Sequence, residues 1–248
     1  MHGGVGDDEQ NGAVTMPTRD NEIADGLTAV RARIDAAARA SGRTDPIGLV
    51  VVTKTFPAED VAVLARLGVT DVAENRDQEA RAKRAAAGDA APLRWHMIGQ
   101  LQRNKARSVA RWADVVESVD RDELVEPLGA QSRELGVTRE VLLQVSLDDP
   151  YRTDRGGAHP RSVLNLADRV ASTEGLVLRG VMGVAPWPGD PDQAFARLAA
   201  IAESLQARWP SATVVSAGMS GDLEQAIAHG ATQVRVGGAI LGPRGAVQ

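Results

Sequence analysis

The sequence predicts a single (β/α)8 barrel of the TIM type, with one extra helix ahead of the first strand. Three observations carry this. About eight short β-branched runs recur along the chain, each followed by a polar or glycine turn and then an Ala-rich amphipathic stretch. Strand and helix in alternation imply a parallel sheet, and eight such units in 248 residues favour a closed barrel over an open doubly wound sheet. With 43% apolar content a chain of this length buries a full core as one domain.

The elements follow in order. Residues Met1 to Pro17 (MHGGVGDDEQNGAVTMP) are rich in Gly and Asp, with neither a basic n-region nor an apolar stretch long enough for a signal peptide or a membrane span. They are expected to form a disordered leader, 1–17, ahead of a barrel domain, 18–248, with Met16 as an alternative start to Met1. Without export or anchoring signals the expected location is the cytoplasm. Ile23, Leu27, Val30 and Ile34 recur at helical period, which predicts a helix over Arg19 to Ser41 stopped by Gly42. The predicted strands are Ile47 to Thr53, Val69 to Ala73, Arg94 to Ile98, Val115 to Val119, Val141 to Ser146, Leu178 to Val184, Thr213 to Ser216 and Gln233 to Val236. The first of these, IGLVVVT, is apolar throughout, as expected of a strand buried on both faces.

Composition excludes several classes. A net charge of -5 with 3% aromatic residues argues against nucleic acid, which calls for a basic face and rings on which bases stack. The absence of Cys removes disulfides, thiolate metal sites and a cysteine nucleophile together, and no other spacing resembles a metal site.

Chemistry in such barrels sits at the C-terminal ends of the strands. Those positions hold Lys54, Glu74-Asn75, Gly99-Gln100, Ser118, Ser146, Gly183, Gly218-Met219-Ser220 and Gly237-Gly238. Lys54 is the exceptional large polar residue among them, although a strand-terminal lysine can also simply snorkel into water. The segments SAGMSG and RVGGAILG, after the seventh and eighth strands, supply backbone N–H groups that can approach an anion closely, and barrels often build phosphate sites there. A lysine facing a phosphate cup suggests a phosphorylated aldehyde held as a Schiff base, because desolvation frees the amine near neutral pH. Pyridoxal 5'-phosphate (PLP) is the natural candidate, and a class I aldolase would use the same two features. The residues alone leave both open.

The segments GLVVVTKTFP, VAENRDQEA, RWHMIGQLQRNK, VVESVD, LLQVSL, RGVMGV and SAGMSGDLEQAIAHGATQVRVGGAILG resemble, in order, the motifs of the pyridoxal phosphate homeostasis protein family. The resemblance covers roughly Ile47 to Gly242. It implies a PLP-bound barrel similar to the N-terminal domain of alanine racemases, monomeric and without established turnover, which holds PLP and delivers it to PLP-dependent apoenzymes. Residue by residue, it implies that Lys54 forms the Schiff base and that Asn75 lies beside the cofactor. It places Ser220, Gly237 and Gly238 at the phosphate and Arg235 at the pyridine nitrogen. An arginine there leaves that nitrogen unprotonated, which weakens the ring as an electron sink and suits storage better than carbanion chemistry.

The chain departs from the family pattern at several positions. Gly238 stands where a hydroxyl residue is common, so one side-chain bond to phosphate is expected to be replaced by backbone or water. Ala73 and Ala217 replace a glycine and a methionine, and Arg155 keeps the charge of a family lysine. His96 is expected to be a hydrogen-bonded barrel residue, His159 and His229 surface residues, and Glu74 and Glu79 helix-start and surface carboxylates. Arg103, Lys105 and Arg107 are expected on a solvated helix face, with a phosphate-ester patch as the lesser reading. The competing function is a PLP-dependent amino-acid racemase. It would need a second proton-transfer group opposite Lys54, and the one tyrosine, Tyr151, would have to supply it.

Overall fold

The computed structural model describes residues 18–88, 93–152 and 155–243. The expected leader therefore lies outside the described residues, as does the end of the expected barrel domain. Eight parallel strands close into a barrel in sequence order: β1 (Gly48–Val52), β2 (Asp71–Glu74), β3 (Arg94–Met97), β4 (Val115–Val119), β5 (Arg139–Val145), β6 (Leu176–Gly183), β7 (Val214–Ser216) and β8 (Gln233–Val236). Closure comes from β1 pairing with β8 in the register Val50 to Arg235. The predicted runs differ from these strands by a residue or two at their ends. β5 and β6 begin two residues earlier than predicted, and β2 begins two residues later because Val69 and Thr70 belong to the turn after the preceding helix, where Val69 N–H donates back to Leu64 O at 3.0 Å.

Between the strands run α2 (Ala58–Arg66), α3 (Asp77–Ala87), α4 (Ala106–Val109), α5 (Val125–Glu134), α6 (Val163–Ala171), α7 (Pro191–Arg208) and α8 (Leu223–Ala228), with α9 (Gly238–Leu241) the last helix among the described residues. Ahead of them lies the extra helix α1 (Arg19–Ala40), whose N-cap Thr18 accepts from Asn21 N–H. Its buried stripe of Ile23, Leu27, Val30, Ile34 and Ala37 packs on α8 and α9. Gly26 permits the close approach, since a Cβ there would come within 2.6 Å of Ile240 O. The helix expected after the third strand is instead a 3-10 turn over Arg103–Lys105 followed by the single turn α4, and Arg103, Lys105 and Arg107 are exposed on it as expected.

Side-chain alternation sorts the barrel into two cores. Val51, Val72, Trp95, Met97, Val116, Val181 and Val234 point outward and join the main core under the helices. Val50, Val52, Ala73 and Ile98 point inward on one side of the barrel, and Val115, Leu142, Met182, Val184 and Val214 on the other. The same two-residue parity turns Lys54, Asn75, His96, Glu117, Ser216, Gln233 and Arg235 toward the axis. The inner face therefore carries apolar walls with a polar belt between them, and the two residues just past β1 and β2 stand at its C-terminal mouth.

Candidate functional site

Lys54 follows β1 by two residues, and the chain turns at once: Phe56 N–H donates to Thr53 O at 3.1 Å, and Thr55 adopts φ +69°. A β-branched residue in that region is strained and persists only where its surroundings hold it. Here Thr55 N–H donates to Glu79 Oε1 at 2.6 Å. On the other side of Lys54, Thr53 O accepts from Lys83 Nζ at 2.6 Å, and Thr53 Oγ1 donates to Glu74 Oε1 at 2.6 Å. Lys83 also pairs with Glu74 at 2.7 Å and Glu79 at 2.6 Å. The backbone on both flanks of Lys54 is thus clamped from behind the sheet.

This corrects the expectation for Glu74, whereas Glu79 does stand in the first turn of α3. Glu74 is not a helix-start surface carboxylate; its outward parity on β2 drives it fully under α3, where burial raises its pKa despite Lys83. Glu79 is partly exposed, and although burial opposes it, hydrogen bonds from Lys83 and the Thr55 N–H bring its pKa below the usual range.

In front of the clamp is a cavity of about 220 Å³ lined by Val52, Lys54, Phe56, Ile98, Met219, Ser220, Gly221, Arg235, Gly237 and Gly238. That is below the roughly 300–1,000 Å³ of sites for drug-sized ligands, and it suits a single-ring molecule. Five of the six site residues singled out from the sequence meet here. The sixth, Asn75, lines an adjoining cleft of about 520 Å³ with Arg76, Gln100, Lys105 and Arg121. Its Oδ1 is buried without a hydrogen-bond partner, as are the hydroxyls of Ser118 and Ser146. Buried polar atoms seldom stay unsatisfied, so these mark places where a ligand or water completes the bonding.

The glycine cup is built by close packing. A Cβ on Gly237 would lie 2.9 Å from Val52 O, so only glycine fits, whereas a Cβ on Gly238 meets no heavy atom within 4 Å. Gly218, at φ +90°, turns the chain into the loop that carries Ser220, and Met219 N–H is capped by Asp222 Oδ1 at 2.6 Å. The extra helix α1 holds this loop from outside: Arg33 donates to Ser220 O at 3.0 Å and pairs with Glu224 at 2.8 Å.

Under the cavity lies the polar belt. Arg235, 3% exposed, donates from Nη1 to Ser216 Oγ at 2.7 Å and from Nη2 to Gly183 O at 2.9 Å. Glu117 sits 3.9 Å from Arg235 and receives Ser216 Oγ, Gln233 Nε2 and the His96 ring. His96 is the hydrogen-bonded barrel residue expected of it. Sequence reasoning missed Glu117, although a lone carboxylate inside VVESV, on the inward parity of a strand, was a readable signal. His159 and His229 are half-buried rather than fully exposed; His229 pairs with Asp192 at 3.0 Å. Tyr151 stacks edge-on against His159, and both line a different cleft with Ser146 and Arg197. Among the described residues no group of His, Asp or Glu is arranged to hold a metal, and no helix is long and apolar enough to cross a membrane.

Comparison with known proteins places this geometry. Residues 26–245 match the family model of the alanine racemase N-terminal domain. The chain is 45% identical to the pyridoxal phosphate homeostasis protein of Mycobacterium bovis, covering 92% of this chain and 95% of that protein. It is 39% identical to the protein of the same name from Pseudomonas aeruginosa, over 90% of this chain and 96% of the relative. Among solved structures it is similar to PipY of Synechococcus elongatus with PLP bound, at 32% identity and a TM-score of 0.76, covering 89% of this chain and all of PipY. Alanine racemase from Clostridium difficile shares only the fold, with 15% identity and a TM-score of 0.70 over 88% of this chain and 56% of the enzyme. The chain belongs to the pyridoxal phosphate homeostasis protein family, within the alanine racemase N-terminal domain fold.

Proposed function

We propose that this protein binds PLP in the cavity at the barrel mouth, as a Schiff base on Lys54, and serves intracellular PLP homeostasis as a carrier rather than as an enzyme. The observation that supports it most is that an amine, a buried guanidinium and a glycine-serine cup line one cavity of about 220 Å³. Lys54 would supply the amine that holds the aldehyde, and the two clamped residues beside it fix where that amine can reach. Ser220 and the backbone of Gly237 and Gly238 would hold the phosphate, with open space at Gly238 for water in place of a side-chain hydroxyl. Arg235 would meet the ring nitrogen, and Asn75, whose buried Oδ1 lacks a partner in the neighbouring cleft, would stand beside the cofactor. When bound, PLP would supply a reactive aldehyde and an electron-withdrawing ring; the protein's part is to hold the first and restrain the second.

The racemase reading lacks its second proton-transfer group. Lys54 and Arg235 are the titratable residues lining the cavity, and Tyr151 lines another cleft. Cytoplasmic location, a monomeric state and delivery to apoenzymes belong to the same proposal. Its test is equilibrium titration of the purified protein with PLP, alongside alanine α-proton exchange in deuterated water. Saturable binding that is lost in Lys54→Ala, with no exchange above the free-PLP rate, is expected; exchange at enzymatic rates would replace the carrier reading with the racemase one.

A further inference from the structure

Holding PLP does not by itself explain Glu117, a carboxylate with no exposed surface in the middle of the barrel. Burying such a group costs several kcal/mol unless charges and hydrogen bonds compensate it. His96 Nδ1 lies 2.7 Å from Glu117 Oε1, and Gln233 Nε2 donates to the same oxygen at 2.9 Å. Ser216 Oγ lies 2.6 Å from Oε2. The other His96 nitrogen meets Asp71 Oδ1 at 2.9 Å. A ring with a carboxylate on each nitrogen is an imidazolium that donates from both. Burial alone would push His96 down; hydrogen bonds to Asp71 and Glu117 outweigh it and lift the ring to about 9.

The direction of every bond in the chain follows from this. A carboxylate only accepts, so the Ser216 hydroxyl spends its one proton on Glu117. Ser216 Oγ then has only lone pairs to offer, and these accept Arg235 Nη1 at 2.7 Å and Gln233 Nε2 at 3.1 Å. Arg235 Nη2 donates to Gly183 O at 2.9 Å. One terminal nitrogen of the guanidinium is therefore oriented by the belt and the other by the β6 backbone, and Arg235 lines the cavity floor in that orientation.

We propose that Glu117 is a positioning residue of this site: through Ser216 it orients the Arg235 guanidinium, and so sets the protonation state of the ring nitrogen that Arg235 faces. The inference rests on reading the cavity as a PLP site. Glu117→Gln is close to isosteric, but its amide must donate from one end and so cannot accept from His96, Gln233 and Ser216 together. One link of the chain inverts. Ser216→Ala breaks the next link and leaves Glu117 in place.

The experiment uses PLP labelled with 15N at the ring nitrogen, bound to the full chain, with far-UV circular dichroism to verify folding. In wild type the ring-nitrogen resonance is expected at the unprotonated position. In Glu117→Gln and Ser216→Ala it moves toward the protonated position, and PLP dissociates at least about tenfold more readily, equivalent to about 1.4 kcal/mol. Folded variants with unchanged resonance and affinity would overturn the inference, and Ser216→Ala carries the test if the glutamine variant fails to fold. A separate readout needs no cofactor: the His96 side-chain 15N resonances of the free protein at neutral pH. Two protonated ring nitrogens are expected; a neutral ring would overturn the polarity of the chain. Failure of wild type to bind PLP would instead refute the binding reading on which the inference rests.

Discussion

Two buried charged clusters flank Lys54, and they are built on opposite faces of the same sheet. The outer one, Glu74, Glu79 and Lys83, lies between the barrel and α3 and bonds to the backbone on either side of the lysine. The inner one, Asp71, His96, Glu117 and Arg235, crosses the barrel axis and ends at the cavity floor. The outer cluster has one cation among two carboxylates; the inner alternates carboxylate and cation along the belt. The difference suggests a division of labour. On the proposed reading, the outer cluster would fix where the Lys54 amine stands, and the inner one would set the electrostatics at the cavity floor.

The largest expected effect breaks the outer cluster. Lys83→Met leaves the fully buried Glu74 carboxylate without its countercharge, and removing one partner of a buried pair costs about 3–5 kcal/mol. Urea unfolding at neutral pH measures it. Because burial already raises the Glu74 pKa, the loss should shrink as the solution is acidified and the carboxyl takes up a proton. A loss independent of pH would mean that Lys83 acts only by packing.

The inner cluster predicts a pH dependence of different sign. His96 faces Asp71 from β2 and Glu117 from β4, with Arg235 of β8 beyond Glu117 and Arg94 on Asp71. Its folded-state pKa is raised from 6.5 to about 9. The stability it contributes is fully present below about pH 6.5 and is lost as pH rises through about 9. A shift of this size is worth up to about 3 kcal/mol. Urea unfolding between these limits should show the decline, and His96→Gln should flatten it. A wild-type profile already flat across that range would contradict the imidazolium.

The smallest effect lies outside both clusters. Gly238→Ser has open space for its side chain and offers a hydroxyl to the cup, so PLP affinity should rise by about 0.5–1.5 kcal/mol, read as a lower dissociation constant. An unchanged dissociation constant would show that a hydroxyl at this position does not reach the phosphate.

Much of the fold was legible because β-branched runs and Ala-rich helices alternate with short turns, and β4 and β8 fall where the sequence predicts them. Lys54, Ser220 and the glycine pair were legible because barrel chemistry gathers at strand ends. The belt was not read, because its members come from β2, β3, β4, β7 and β8, and only closure of the barrel makes inward parity mean proximity. Glu74 was misread for a related reason: a carboxylate at a strand end resembles a helix-start residue until Lys83, nine residues on, turns back beneath it. The role of α1 also escaped prediction, since the Arg33 contact with Ser220 spans 187 residues.

The most direct test of the central claim is borohydride reduction of the PLP-incubated protein, followed by intact mass and peptide mapping. The account predicts one phosphopyridoxyl group per chain, on the peptide containing Lys54, absent from Lys54→Ala. A protein that takes up no label, or that carries it equally on another lysine in the Lys54→Ala variant, would contradict it.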